Sequence, residues 1–478
     1  MRLGQTSLIY FIAKVVGSLL GFIATIYFAR VLGAEVLGQY ALAMAIITWA
    51  SLAGKVGFSR AITKRVSEGE QEEEFVGAGI VVMCALLLIT SLILFLFRGQ
   101  VDAYVGAPAT GFIILILVMI LYKSIVNATL QGNHLVHVYA ILSTGRQASR
   151  ALAQILLVAI GMGLSGMLFG YAFGYLVTAT IGLWILGLRP ARPEKFHIVN
   201  LFDYAKYAWL GSFRGRAFNT IDITVLGLFV TQGLIGVYSV AWSLSKFLNI
   251  FSDAISSTLF PEMSKVSTEG DFRMVATLTE DALTYAGLIL IPGFVGALVL
   301  GDLLMLIYGA EFVVGTEVLG ILIAGLLIYS YNKQFLNTLN AIDRPDLAFR
   351  SNAVFIVANI CLNVLLIWQF GWIGAAVATG LSAVFGLVFA FRYTKALVPV
   401  SIPLADILYQ WVAALSMGLL IYGVRTGLEG HWLTQHNAVF VVILVALGAS
   451  IYFGTLLVIS TTFQKTVKNN LPFDLPLI

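Results

Sequence analysis

Apolar stretches long enough to cross a bilayer recur along the whole chain, and this repetition constrains the fold more than any other feature. One crossing takes about 20 apolar residues in a helix. The stretches lie at 8–29, 36–58, 75–97, 109–132, 138–160, 165–188, 204–230, 234–258, 278–300, 314–339, 350–369, 372–394, 404–425 and 437–460, fourteen in all. Lipid offers no partner to backbone N–H and C=O groups, so each stretch must be a helix or part of a closed barrel. Barrel strands are about 10 residues long with alternating polarity, and these uniform runs are too long for that. The expectation is an all-α polytopic membrane protein. Of 478 residues, 59% are hydrophobic and 11% charged, against about 25% charged in a soluble protein. That excludes an ordinary soluble enzyme, a disordered regulator and a nucleic-acid binder. The two cysteines, Cys84 and Cys361, fall inside apolar stretches and read as small buried hydrophobes.

Short loops set an orientation. With the N-terminus inside, cytoplasmic segments hold Arg2, Arg60, Lys64, Arg65, Arg189, Arg192, Lys195, Lys265, Arg273, Arg344, Arg350, Arg392, Lys395, Lys465 and Lys468. Outer segments hold only Arg30, Arg98 and Arg425. This positive-inside bias and an even number of spans place both termini in the cytoplasm. The first stretch runs directly into a second and is too long for a cleaved signal peptide. The connection 189–203 is the most linker-like, with two prolines and clustered charge. The expected division is an N-terminal six-helix lobe over 1–188, a cytoplasmic linker over 189–203, a C-terminal six-helix lobe over 204–394, and two extra helices with a cytoplasmic tail over 395–478. The run Glu68, Glu70, Glu72, Glu73, Glu74 reads as a solvated cytoplasmic face.

The halves echo each other. Leu37-Gly38-Gln39-Tyr40-Ala41 opens the second stretch as Ile235-Gly236-Val237-Tyr238-Ser239 opens the eighth, and Gly163-Leu-Ser-Gly166 precedes the sixth as Gly371-Trp-Ile-Gly374 precedes the twelfth. Six spans separate the copies, so the halves have parallel topology. Transporters are commonly built from such repeats.

Asp222-Ile-Thr-Val-Leu-Gly227, Gly236-Val-Tyr238-Ser-Val-Ala241, Phe260-Pro261-Glu-Met-Ser264 and Asn363 followed by Gly371-Trp-Ile-Gly374-Ala-Ala-Val-Ala-Thr379 carry a resemblance. So do Ala29-Arg30-Val-Leu-Gly33, Gly38-Gln-Tyr40 and Gly57-Phe-Ser-Arg60-Ala-Ile-Thr-Lys64-Arg65. In order and spacing, over about residues 5–460, the chain resembles the polysaccharide-export (Wzx-like) flippases of the multidrug/oligosaccharidyl-lipid/polysaccharide exporter superfamily. The resemblance implies a helical transporter of two six-helix lobes. It also implies flipping of lipid-linked oligosaccharide across the cell membrane.

Ten basic residues lie within or near the apolar stretches: Lys14, Lys55, Lys123, Arg146, Arg150, Lys206, Arg214, Arg216, Lys246 and Lys333. A charge at a helix centre costs at least about 2.5–3.5 kcal/mol on insertion scales, so such residues face a partner or a watery cavity. Lys55, Lys206 and Lys333 read as lying near span ends, where they can snorkel. Arg146, Arg150 and Gln154 recur every four residues on one helix face, as a cavity-lining stripe would. Arg214 and Asp222 are about 12 Å apart along one helix, too far for a direct bond. The deep acids are Asp222 and Asp253. They are too few for the cations, so a cavity with surplus positive charge calls for an anion. Guanidinium groups pair bidentately with phosphate. The candidate substrate contacts are Lys14, Lys55, Arg146, Arg150, Arg214, Arg216 and Lys246; Asp222 and Asp253 are candidates for ion coupling or gating. No catalytic residue, metal site or cofactor is expected; a coupling cation or proton is. The expected partners are a polyprenyl-linked glycan, the bilayer and glycosyltransferases of the same pathway, with the protein itself a monomer.

The alternatives are weaker. Gly106-Ala-Pro-Ala-Thr-Gly111 lacks the Lys-Ser/Thr of a phosphate-binding loop, which opposes an ATP-driven pump. A membrane glycosyltransferase or polymerase would need clustered acids, and the outer acids Glu35, Asp102, Asp302, Glu311 and Glu429 are scattered. His134 and His137 lack further ligands for a metal. A multidrug antiporter of the same superfamily would favour cationic cargo, which a basic interior opposes.

Overall fold

The computed structural model describes residues 3–55, 57–187, 189–428 and 436–470, with side chains described except at 3–19, 206–219 and 469–470. Among the described residues the chain is helical, with no strand. Nine helical stretches are long and apolar enough to cross a membrane, ten if one bent pair is counted as a single span. The chain gathers into two compact units, Met1–Gly236 and Val237–Ile478.

The first unit comprises α1 (Leu3–Lys55), α2 (Phe58–Ser67), α3 (Glu72–Leu96), α4 (Arg98–Val105), α5 (Thr110–Gly132), α6 (Val136–Ala159), α7 (Gly163–Leu186) and α8 (Lys195–Phe229). The second begins within α9 (Gln232–Leu248) and continues with α10 (Ile250–Thr268), α11 (Phe272–Ala286), α12 (Leu290–Leu306), α13 (Thr316–Ala341), α14 (Pro345–Leu397), α15 (Leu404–Gly427), α16 (Asn437–Ile459) and α17 (Thr461–Asn470). α9 and α10 form the bent pair, at 43°. Large apolar side chains stand exposed along α3 (Leu88, Ile89, Leu92, Leu96) and α16 (Val439, Val442, Val445, Val458). Such faces suit lipid, which is no more apolar than they are; helix association in that solvent rests on close packing and hydrogen bonds.

The repeated glycine motifs serve the same purpose in each copy. Gly163 and Gly371 both adopt left-handed backbone, with φ of 53° and 59°, a conformation glycine reaches without steric cost. Three residues later, Gly166 lies against the Leu157 backbone, and Gly374 lies against Leu366, where a Cβ would stand 2.1 Å from the carbonyl oxygen. Gly371 is the non-helical point inside α14, and Gly33 (φ 79°) is the one inside α1. The apolar stretches change over at these two places. The paired glycines Gly38 and Gly236 meet directly in the first unit. A Cβ on Gly38 would stand 1.8 Å from the Gln232 carbonyl oxygen, and one on Gly236 would stand 1.9 Å from that of Ala34.

The 36–58 stretch differs from the sequence expectation at its end. α1 stops at Lys55, Gly57 takes a left-handed conformation (φ 79°), and α2 runs on beside α5. Ser59 and Ser124 share a hydroxyl hydrogen bond of 2.6 Å, Thr63 donates to the Ala128 carbonyl at 3.2 Å, and Val66 packs over Gly132. Lys55 lines a pocket with Leu117, Ile120 and Leu121, from the middle of the 23-residue α5. It therefore lies beside residues 117–121 of α5.

The 189–203 connection is docked. The Ala191 N–H donates to the Glu73 carbonyl at 3.1 Å, and the Ala191 carbonyl fills the space above Gly77. Glu194 and His197 form a reciprocal capping box at the start of α8, and the other ring nitrogen of His197 bonds Gln71 at 3.0 Å. Within the acidic run, Glu72, Glu73 and Glu74 occupy the first turn of α3, where negative charge is favoured by the helix dipole.

Candidate functional site

In the first unit, three membrane-level cations converge on tyrosine rings. α6 supplies Arg146 and Arg150, α5 supplies Lys123, and α7 supplies Tyr171 and Tyr175. The Arg146 guanidinium lies 4.9 Å from the Tyr175 ring centre, and that of Arg150 lies 5.3 Å from the Tyr171 ring centre. Lys123 is 4% exposed. Its Nζ donates to Thr178 Oγ1 at 3.2 Å and to the Leu142 carbonyl at 3.4 Å, 5.9 Å from the Tyr175 ring centre. The two tyrosine rings lie 5.3 Å apart with their hydroxyls 3.4 Å apart. Cation–π contacts of this kind are worth about 0.5–2 kcal/mol, most where water is excluded. At 1.5 Å per residue, Arg150 is about 21 Å along an α6 that is about 36 Å long, near its middle.

The local sequence explains the close approach. Gly166, Gly170 and Gly174 recur every four residues on α7, and α6 packs into this seam. A Cβ on Gly170 would stand 2.5–2.8 Å from Gln154 atoms, and one on Gly174 would stand 2.8 Å from Arg150 Cβ. Small residues at this spacing let helix backbones approach in a membrane. Gln154 is buried and not cavity-lining. Its Nε2 donates to the Met167 carbonyl at 2.7 Å and to Tyr40 Oη at 3.2 Å, tying α6 to α7 and α1. The expected polar stripe is therefore two arginines on tyrosines above a structural amide. α6 also falls outside the nine apolar stretches, because this polar face lowers its hydropathy.

The site is electrostatically one-sided. Among the described residues, Lys123, Arg146 and Arg150 have no acidic partner. The Arg150 Nε is buried without a hydrogen-bond acceptor among the described residues. Three cations at this depth with aromatic faces, hydroxyls and one backbone carbonyl around them favour an anion, which supplies both countercharge and further acceptors.

The remaining sequence candidates are dispersed. The side chains of Lys14, Arg214 and Arg216 lie outside the described residues. Lys55 sits at the α1 break, in a mainly apolar pocket that also includes Ser51 and Thr90. Asp222 is 6% exposed on α8. In the second unit, Lys246 lies 5.2 Å from the Trp242 ring centre, one turn earlier on α9. Asp253 accepts from Lys333 Nζ at 2.6 Å and from Asn249 Nδ2 at 3.1 Å. Lys333 is thus a pair member and not simply a snorkelling end. This pair borders a polar seam between α10 and α13, in which Ser252 bonds Ser330 and Ser256 bonds Gln334.

Sequence reasoning weighed charges and passed over the rings. Tyr40, Tyr171 and Tyr175 complete the site, and Lys123 joins it from a neighbouring helix. The Gly166-x3-Gly170-x3-Gly174 spacing was the available signal that α7 receives α6 closely.

Comparison with known proteins agrees with this architecture. The chain is 29% identical to the probable low-salt glycan biosynthesis flippase Agl15 of Haloferax volcanii, over 89% of this chain and 90% of that protein. It is 29% identical to the probable flippase AglR of the same organism, over 98% of each. Its fold matches the inward closed conformation of the lipid II flippase MurJ with a TM-score of 0.79 at 17% identity, covering 96% of this chain and 99% of that one. Residues 3–267, more than half of the chain and including every helix of the cation–tyrosine site, match the polysaccharide biosynthesis protein family. By that match, which agrees with the apolar helices and the glycine-packed repeats, the chain belongs to the polysaccharide biosynthesis protein family.

Proposed function

We propose that this chain is a flippase that moves a lipid-linked oligosaccharide, on polyprenyl phosphate or pyrophosphate, from the cytoplasmic to the outer leaflet of the cell membrane by alternating access, for surface polysaccharide or glycoprotein glycan assembly. The observation that carries the reading is the uncompensated cluster of Lys123, Arg146 and Arg150 at membrane depth. An anionic phosphate headgroup gives these cations countercharge, and the tyrosine faces suit a sugar ring. The flippase names of the two Haloferax relatives support the same reading.

The chain crosses the membrane fourteen times, as two six-helix lobes and two further helices, with both termini in the cytoplasm. The headgroup enters from the cytoplasmic leaflet while the polyprenyl tail stays in lipid. Arg146 and Arg150 hold the phosphate. Asp222 and Asp253 serve ion coupling or gating, and neutralising Asp253 releases Lys333. An inside-negative potential drives an anion outward, worth about 2.3 kcal/mol per charge at 100 mV. The protein acts as a monomer alongside glycosyltransferases of its pathway. Cationic drugs, the cargo of the antiporter alternative, are repelled by the same three cations.

The test is transbilayer movement of a fluorescent polyprenyl-phosphate-linked glycan in proteoliposomes. Arg150→Ala and Arg146→Ala are expected to abolish or strongly slow movement, with Arg150→Lys retaining part of it. Movement of cationic dye alone, or unimpaired flipping by both alanine variants, overturns the assignment.

A further inference from the structure

Where α11, α15, α16 and α17 converge in the second unit, a small pocket gathers oxygen acceptors that the proposed transport reaction does not use. We propose that this pocket binds a monovalent cation of sodium's size, held by Gln410 Oε1 and the Asp406 carboxylate.

Gln410 is 3% exposed and lines the pocket. Its Nε2 donates to the Thr284 carbonyl at 2.8 Å, which fixes the amide so that Oε1 presents only lone pairs. That oxygen has no hydrogen-bond partner among the described residues. A Cβ built on Gly287 would stand 2.9 Å from Gln410 Oε1 and 2.5 Å from Tyr331 Oη, so both oxygens border the space that a side chain there would fill. Among the described residues Tyr331 Oη also lacks a hydrogen-bond partner, as does Oη of Tyr452, which is 1% exposed on α16. Buried polar atoms are almost always satisfied, and the orphan amide oxygen of Gln410, on the pocket wall, marks a place for an occupant. The helix itself is interrupted here, with α11 ending at Ala286 and α12 beginning at Leu290.

Charge decides between a cation and a water. Asp406 stands four residues before Gln410 on the same face of α15 and lines the pocket. It has no basic partner among the described residues. Asp281 of α11 interacts electrostatically with Asp406 and with Glu280, and no Lys, Arg or His lines the pocket. A water would satisfy Gln410 Oε1; a cation would satisfy it and also pair with the Asp406 carboxylate in the first turn of α15. All the donors are hard oxygens, which select a hard ion, and a single carboxylate in the lining matches a single charge. Thr284 and Ser460 complete the polar wall.

The proposal stands whether or not the chain flips lipid, so its test is binding. The full-length protein in detergent is melted in sodium, potassium or choline chloride at constant ionic strength, and radioactive sodium binding is measured in parallel. Sodium is expected to raise the melting temperature by several degrees over choline and to bind saturably at one site. Asp406→Asn and Gln410→Leu are expected to abolish both effects, while Asp346→Asn, on an exposed ion pair elsewhere, keeps them. Equal melting of the wild type in sodium and choline, as for a water-filled pocket, overturns the proposal. Sodium effects that persist in both variants overturn it as well. If Gln410→Leu fails to fold, Asp406→Asn, which leaves the Thr284 bond intact, decides alone.

Discussion

Gly170→Ala tests whether the α6–α7 seam positions the arginines. The new Cβ would stand 2.5 Å from Gln154 Cγ, 2.6 Å from its backbone nitrogen and 2.8 Å from its Cα. Two of those atoms are backbone, so the conflict cannot be relieved by a rotamer change. Ordinary carbon contacts are about 3.5–4.0 Å, so α6 must withdraw by roughly 1 Å. The Gln154–Met167 bond of 2.7 Å then stretches past useful length. Overpacking costs about 1–3 kcal/mol, and a buried amide left without its acceptor adds about 1–3 kcal/mol. The sum, about 2–6 kcal/mol, is a large share of a typical stability. It also draws Arg146 and Arg150 away from Tyr175 and Tyr171. Thermal unfolding in detergent and glycolipid movement in proteoliposomes measure the two consequences. Gly111→Ala is the control, because nothing lies within 4 Å of its Cβ, and it is expected to be neutral or slightly stabilising. A Gly170→Ala protein that melts and transports like the wild type would refute the seam argument.

Gly38→Ala places a Cβ 1.8 Å from the Gln232 carbonyl oxygen, and its destabilisation is expected at or above the upper end of the overpacking range, about 3 kcal/mol, read as lost folded protein after purification. Asp102 accepts from the Ala109 and Thr110 N–H groups at 2.9 Å each and from the Thr110 hydroxyl at 2.7 Å, capping α5 from the preceding short helix. Desolvation raises its pKa, but these bonds and nearby Arg98 outweigh that and hold it below the ordinary carboxylate value. The stability it contributes is therefore complete above the unfolded pKa of about 3.9 and is lost as pH falls through the lower folded value; the melting gap between wild type and Asp102→Ala should be constant from pH 7 to about 5 and close in stronger acid. Arg425 bonds both Asp302 oxygens, at 2.5 and 2.9 Å, and also the Val299 carbonyl. Arg425→Ala is expected to loosen α15 from α12, and adding Asp302→Ala should cost little more, as a double-mutant thermal-stability cycle would show.

How much was legible depended on how local the signal was. The apolar stretches gave the helices, because crossing lipid is a property of about 20 consecutive residues and needs no knowledge of neighbours. The glycine repeats were visible as Gly163-x2-Gly166 and Gly371-x2-Gly374, and the first glycine of each copy takes a positive φ. Arg146 and Arg150 were visible as a four-residue spacing on one helix. Gln154 obeyed the same spacing yet proved structural, because periodicity identifies a face and not what the face meets. The break at Gly57, which ends α1 at Lys55, cannot be read from hydropathy. Asp253 and Lys333 are eighty residues apart in sequence and 2.6 Å apart in space, which no spacing rule anticipates.

The sequence by itself determined that this is a helical membrane protein with more basic than acidic groups at membrane level. Both properties follow from transfer free energies of individual residues, which are nearly independent of fold. Tertiary structure alone decided which cations are already neutralised, as Lys333 is by Asp253, and which remain gathered over tyrosine faces as Lys123, Arg146 and Arg150 do. Charge compensation acts over a few ångströms between helices distant in the chain, and only their packing brings those distances about.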